Sequence, residues 1–182
     1  MRDRLRARLA ERPAQKLRIE PFAEAAVLVP LIGRGEARSL VFTARPAEMP
    51  THGGQISLPG GKRDAGDADL RATALREAAE ELGIEPPAVD VLGMLDDVAT
   101  PLGFVITPVV GWLDDPPHFC PHAREVEAVL EIDLETLARG HRDAGERVVR
   151  GRTYRLHEYH AAGRVIWGAT ARIVHQLLEL LA

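Results

Sequence analysis

Cysteine is nearly absent from this chain of 182 residues: Cys120 stands alone. A single thiol excludes an internal disulfide and points to a reducing, cytoplasmic location. Cys120 itself reads as an ordinary thiol. A basic excess is also missing. Lys and Arg number 23 against 27 Asp and Glu, a formal net charge of −4. With no basic field to neutralise phosphates, a nucleic-acid polymer is not the expected partner. No apolar run reaches membrane-spanning length, so no membrane partner is expected either. The opening MRDRLRARLAERP is basic but is followed by no apolar stretch, which excludes a secretory signal. Leu5 and Leu9 suggest a short helix there, ending before Pro13 with its arginines on a solvated face. Internal repeats, low-complexity tracts and interdomain linkers are missing as well. What remains is 46% hydrophobic and long enough to bury a core. The expectation is one globular domain over 1–182, with a helical extension over about 1–20.

The most informative stretch that is present runs from Gly61 to Ile84, GKRDAGDADLRATALREAAEELGI. Residues i, i+3 and i+4 share a helix face, so Glu77, Glu80 and Glu81 point the same way. Three like charges there repel, and a divalent cation turns that repulsion into attraction. Hard carboxylate oxygens suit Mg²⁺ or Mn²⁺. The plain alternative is a solvated acidic helix face. Asp67 and Asp69 precede Leu70 and serve as helix-capping candidates, while Gly83 and Pro86-Pro87 mark the helix end. Leu70, Ala74, Ala78 and Leu82 form the inward stripe, with the glutamates largely off it. Upstream, Leu58-Pro59-Gly60-Gly61 makes a tight loop whose backbone can approach a metal or a phosphate.

Strands are predicted over 24–32 and 39–43, around Gly33-Arg34-Gly35, and over 89–97 and 104–113. Residues 44–61, rich in Pro and Gly, read as one long loop, and such a loop is usually functional. Val126, Ala128, Leu130, Ile132 and Leu134 alternate at period two, which predicts a half-buried strand. Shorter strand candidates are 154–159 and 165–167. A closing helix from about Ala169 carries Ile173, Val174, Leu177, Leu178 and Leu181 on one face. The fold class is α/β: a mixed sheet flanked by helices. Trp167 is expected in the core. His118, His122, His141, His157, His160 and His175 show no metal-ligand spacing and read as surface or packing residues.

The segment Arg76-Glu77-Ala78-Ala79-Glu80-Glu81-Leu82-Gly83-Ile84 resembles the Nudix box, G-x5-E-x7-R-E-U-x-E-E-x-G-U, with U aliphatic. Ala78 stands at the first aliphatic position. Asp67 stands where the first Glu belongs, six residues after Gly61, and eight residues rather than seven separate it from Arg76. The shorter side chain and the extra residue suggest that Asp67 falls short of Arg76, caps the helix, and matters less than the three glutamates. The resemblance implies a Nudix-type α/β/α sandwich and hydrolysis of a nucleoside diphosphate derivative with Mg²⁺ or Mn²⁺. It implies metal ligation by Glu77, Glu80, Glu81 and the Gly60 carbonyl, with Arg76 fixing the carboxylates. Members of the family also recruit a glutamate from outside the box, as ligand or base. Glu125 is the choice here, ahead of Glu127, with Glu131 on the same side of its strand.

The text from Val41 to Gly61 resembles the coenzyme A pyrophosphatase branch, L-[LF]-T-x-R-[SA]-x3-R-x3-G-x3-F-P-G-G. Thr43, Arg45, Gly54, Pro59, Gly60 and Gly61 match in register, while Pro46 and Pro50 replace the small residue and the second arginine. Ile166-Trp167-Gly168-Ala169-Thr170-Ala171-Arg172 resembles the ending of that branch. The expected reaction is cleavage of coenzyme A, or a derivative, to 3′,5′-ADP and 4′-phosphopantetheine. Arg45, His52, Gln55 and Gly61 are the substrate-binding candidates. The 3′-phosphate needs a cation, and Arg45, Lys62, Arg63 and Arg124 are available. A homodimer is compatible with the reading. The alternatives are another Nudix substrate (ADP-ribose, a dinucleoside polyphosphate, an oxidised nucleotide) or a non-catalytic Nudix sensor, which typically lacks box carboxylates. Isopentenyl diphosphate isomerisation on this fold requires a catalytic cysteine, and Cys120 between prolines matches that context poorly.

Overall fold

The computed structural model describes residues 1–34, 37–47, 54–114, 118–149 and 151–182; Pro50 and His52 lie outside the described residues. The long strand β1 (Ala23–Arg34) runs through the middle of the main sheet. It pairs antiparallel with β2 (Ala37–Ala44) and parallel with β7 (Phe104–Leu113). The stretch expected as a loop over 44–61 contains two short strands, β3 (Ile56–Ser57) on β2 and β4 (Gly60–Lys62) on β1. The sheet is completed by β5 (Asp90–Met94) and β6 (Val98–Ala99) on β7, and by β8 (Ala128–Asp133) on β2. It is therefore mixed, as expected.

Alternation along the strands sends side chains to both faces. On one face, Ala26, Leu28, Ile32, Val41 and Val109 pack with Ala74, Ala78 and Leu82 of helix α2 (Leu70–Leu82). On the other, Val29, Leu31, Leu40, Phe42 and Trp112 meet Leu5 and Leu9 of α1 (Arg2–Glu11) and Ile173, Val174 and Leu177 of the C-terminal helix α4 (Gly168–Leu181). Helices thus cover both faces and give the α/β/α sandwich. Leu82, fully buried, is held by roughly 1.5–3 kcal/mol of apolar transfer, so truncating it to Ala costs about 2–5 kcal/mol.

Several expectations change. The alternation over 126–134 continues past the strand: Leu134 opens helix α3 (Leu134–Gly140), because the Asp133 side chain caps it by accepting from the Glu135 and Thr136 N–H groups. A strand absent from the sequence reading, β9 (His141–Val149), forms a second sheet with β10 (Arg152–Ala161) and β11 (Arg164–Ile166). Trp167 is not in the core; it is 48% exposed at the start of α4. The N-terminal arginines are not merely solvated. Arg2 and Arg6 both bond Asp90, Arg8 reaches the Leu180 carbonyl, and Arg12 pairs with Asp96, so α1 is fastened to the body of the protein. Among the described residues, no helix is long and apolar enough to cross a membrane.

Candidate active site

Helix α2 and strand β4 build the site between them. Asp69 caps α2 by accepting from the Ala72 N–H at 2.8 Å, and Gly83 closes it in the left-handed conformation at φ 70°. The terminal carbonyls of Glu81 and Leu82 accept from the N–H groups of His122 and Cys120. That docking lays the 120–126 loop across the helix end, and Glu125 follows in the same turn.

Strand β4 lies against α2 because its glycines have no side chains. A Cβ at Gly61 would lie 2.5 Å from the Glu77 carboxyl carbon, and one at Gly60 would lie 2.6 Å from Val27 Cα. Gly60 also donates its N–H to Glu81 Oε2 at 3.2 Å. Glu81 is only 6% exposed, deeper than a position off the apolar stripe suggested. Glu77 is half-buried and Glu80 is exposed.

Burial is the main reason that the Glu81 carboxyl is pushed up to about 7; the Glu77 and Glu125 charges add to it, while the Gly60 N–H and Arg45 oppose it. Burial likewise raises Glu77, against its pairing with Arg76 and with the help of Glu80 and Glu125. Glu125 is exposed and sits 3.7 Å from His122 Nδ1, yet its charge reaches both box glutamates. Carboxylates that repel one another, Glu81 buried and Glu77 half-buried beside a glycine backbone, form an oxygen donor set that a hard divalent cation fits.

Arg76 organises the carboxylates. It donates to Glu77 Oε1 at 3.0 Å, to Glu80 Oε2 at 3.1 Å and to the Lys62 carbonyl at 3.2 Å. Asp67 reaches it after all. Arg76 Nε donates to Asp67 Oδ1 at 3.0 Å and Nη2 to Oδ2 at 3.1 Å, a two-pronged bond. The 64–67 segment makes this reach available by turning on itself: Asp67 N–H donates to the Asp64 carbonyl, and Asp64 N–H to the Asp67 carboxylate. The Thr73 hydroxyl adds another bond at 2.9 Å. The extra residue is absorbed before Leu70, and Asp69, not Asp67, caps the helix. Arg76 holds the Asp67 carboxyl far below the usual carboxylate range. The signal was legible in part, since Asp67 occupies the position of the first box glutamate.

Arg45 stands where β2 leaves the sheet. Its N–H donates to the Gln55 carbonyl and its own carbonyl accepts from Gly54, so residues 45 and 54–55 close the neck of the intervening loop. The charge of Arg45 acts on Glu81. Thr43 Oγ1 lies 3.0 Å from Ser57 Oγ and anchors β3. Of the remaining cations, Arg63 is engaged by Glu24 at 2.8 Å, whereas Lys62 and Arg124 are exposed.

Residues 22–167 match the sequence family described as the NUDIX domain. The chain belongs to the Nudix family. A relative from Cronobacter sakazakii, described as an uncharacterized Nudix hydrolase NudL, is 43% identical over 157 residues, 85% of this chain and 80% of that protein. The NudL of Photorhabdus laumondii is 39% identical over 158 residues, 85% of this chain and 83% of its own length. Among solved structures, the M. smegmatis Nudix hydrolase RenU superposes with a TM-score of 0.55 at 25% identity, over 64% of this chain and 74% of that one. The NUDIX domain of Shewanella oneidensis NrtR, solved with ADP ribose, gives a TM-score of 0.53 at 19% identity, over 66% and 79%. That last likeness is one of fold. The family makes the chain a pyrophosphohydrolase of nucleoside diphosphate derivatives that works with a divalent metal ion.

One group of residues read as surface or packing has a different arrangement. His141, His157 and His175 converge, far from the Nudix box in the sequence.

Proposed function

We propose that the enzyme hydrolyses the pyrophosphate bond of coenzyme A or its derivatives, releasing 3′,5′-ADP and 4′-phosphopantetheine. The observation that carries this reading is the neck at Arg45 and Gln55. Arg45 belongs to the segment that resembles the coenzyme A branch, and its charge acts on Glu81. An arginine so placed suits a substrate rich in phosphate.

Glu77, Glu80, Glu81 and the Gly60 carbonyl would hold Mg²⁺ or Mn²⁺. The divalent ion, when bound, supplies charge that shields the pyrophosphate oxygens and acidifies a water molecule. The residues of this chain do the rest. Arg76 holds Glu77 and Glu80, and Asp67 holds Arg76. Glu125, exposed and within electrostatic reach of Glu77 and Glu81, receives the proton of the attacking water. Water oxygen bonds to one phosphorus while the bridging P–O bond breaks and the leaving phosphate takes the electron pair. Arg45 with Gln55 and Gly61 faces the substrate, and His52 belongs to the same loop motif. The single thiol suits a cytoplasmic enzyme.

The test is a kcat/KM panel of coenzyme A, acetyl-coenzyme A, ADP-ribose, NADH and diadenosine tetraphosphate with Mg²⁺ or Mn²⁺, products identified by mass. Coenzyme A is expected to lead by at least about tenfold, roughly 1.4 kcal/mol of barrier. Equal kcat/KM for ADP-ribose would sink the substrate and leave the Nudix chemistry standing.

A further inference from the structure

The second sheet and α4 bring three imidazoles together away from the carboxylate site. His141 begins β9, His157 lies on β10 and His175 on α4. One ring nitrogen from each falls within 4.8 Å of the others. His141 Nε2 and His157 Nδ1 are 3.1 Å apart, and the rings of His157 and His175 stack with centroids 3.7 Å apart. His157 is 7% exposed. The buried Tyr159 hydroxyl lies 3.2 Å from His175 Nδ1, and Glu179 lies 3.3 Å from His175 Nε2.

We propose that His141, His157 and His175 form a transition-metal site, selective for Zn²⁺ over Mg²⁺, that fastens α4 to the β9–β10 sheet. Tetrahedral Zn²⁺ with Zn–N near 2.0–2.1 Å puts its nitrogens about 3.3–3.4 Å apart, close to the His141–His157 contact. The stacked His157 and His175 rings fan apart about their side-chain torsions to admit the ion. Imidazole nitrogen suits Zn²⁺, whereas Mg²⁺ requires oxygen and gives up water reluctantly. Glu179 on His175 is the kind of carboxylate contact that orients a metal-binding ring. Burial, followed by the two neighbouring imidazoles, keeps His157 below its ordinary pKa and so in the neutral form that ligates. A cleft of about 350 Å³ opens at His157 and His175, where water can complete the coordination. Its charged lining is Asp96, Asp97, Glu179, Arg155 and Arg172; Arg12 pairs with Asp96, Lys16 with Asp97 at 3.2 Å and Asp143 with Arg155 at 3.0 Å, while Glu179 faces His175. The inference does not rest on the substrate reading.

The experiment is Zn²⁺ titration calorimetry on the whole chain in excess Mg²⁺, repeated with Co²⁺ while its visible spectrum is recorded. One equivalent is expected, with the intense visible bands of tetrahedral Co²⁺. At Zn²⁺ about a hundredfold above Kd, the thermal midpoint should rise by roughly 5–10 °C. His175→Gln and His141→Gln should each weaken binding by at least tenfold, and Glu81→Gln should leave it unchanged. His141 is only half-buried, so its variant decides the question if the His175 variant does not fold. No Zn²⁺ uptake in excess Mg²⁺, uptake indifferent to both histidine changes, or uptake abolished by Glu81→Gln would each overturn the site.

Discussion

Glu77, Glu80 and Glu81 share little more than one turn of α2, whereas His141, His157 and His175 come from two strands and a helix. The first group is a local object. Helical periodicity alone places its side chains on one face, and a single docking event, β4 onto α2, supplies the backbone. The second group exists only through register. Tyr159 pairs with His141, which sets His157 two residues along β10, and α4 must then pack on β10 to deliver His175. The donors differ as well. One group presents carboxylate oxygens that repel one another; the other presents imidazole nitrogens. The two proposed sites would therefore suit different metals, the oxygens Mg²⁺ and the nitrogens Zn²⁺.

The comparison can be broken most decisively at the oxygen site. Glu81→Gln should lower kcat by on the order of a thousandfold, about 4 kcal/mol of barrier, with the protein still folded. The assay is turnover in saturating Mg²⁺ beside the far-ultraviolet circular dichroism of the same preparation. Full turnover would remove Glu81 from the machinery.

Asp67→Ala comes next. It strips Arg76 of its two-pronged partner and leaves Glu77 and Glu80 loosely held, so kcat/KM should fall by roughly 10–100-fold. Asp67→Glu should restore part of the rate. A loss below threefold for Asp67→Ala would return this residue to a purely local role.

A third measurement concerns pH. The Glu81 carboxyl is raised from 4.5 to about 7 in the folded protein, so the folded state holds that proton more tightly than the unfolded one. The resulting stabilisation is complete below about pH 4.5 and is lost as pH rises through about 7. In EDTA, wild type should lose up to roughly 3 kcal/mol across that window relative to Glu81→Gln. Excess Mg²⁺ should flatten the difference. Denaturant melts of both proteins at several pH values read it directly, and parallel curves would refute it.

The smallest effect separates the two neighbouring aspartates. Asp69→Ala removes the α2 cap and should cost roughly 0.5–2 kcal/mol of stability. Turnover of the folded protein should change by less than about threefold, in contrast to Asp67→Ala. A large rate loss without a shift in the thermal midpoint would show that the two residues had been assigned the wrong way round.

The contrast also explains what could be read in advance. Helix α2, its glycine stop and the outline of β1, β2, β7 and α4 follow from periodicities within each segment. The polar strand β9 does not. Residues 142–148 are exposed, so no apolar alternation announces them, and the strand is held by its ladder to β10. Alternation over 126–134 misled at its end because Asp133 offers a cap that turns the chain into α3. Trp167 looked like core by residue type, but its place at the head of α4 leaves it half in water.

The linear chain by itself determined the Nudix box: three carboxylates on a helix face, glycines before them, an arginine beside them. Those properties depend on spacings of a few residues, which the helix repeat converts directly into geometry. Tertiary structure decided how deep each carboxylate lies, that Asp67 turns back to Arg76, that the 120–126 loop brings Glu125 over the helix end, and that three distant histidines meet. Burial and long-range register depend on what other segments supply, and no local pattern encodes a neighbour that arrives from elsewhere in the chain.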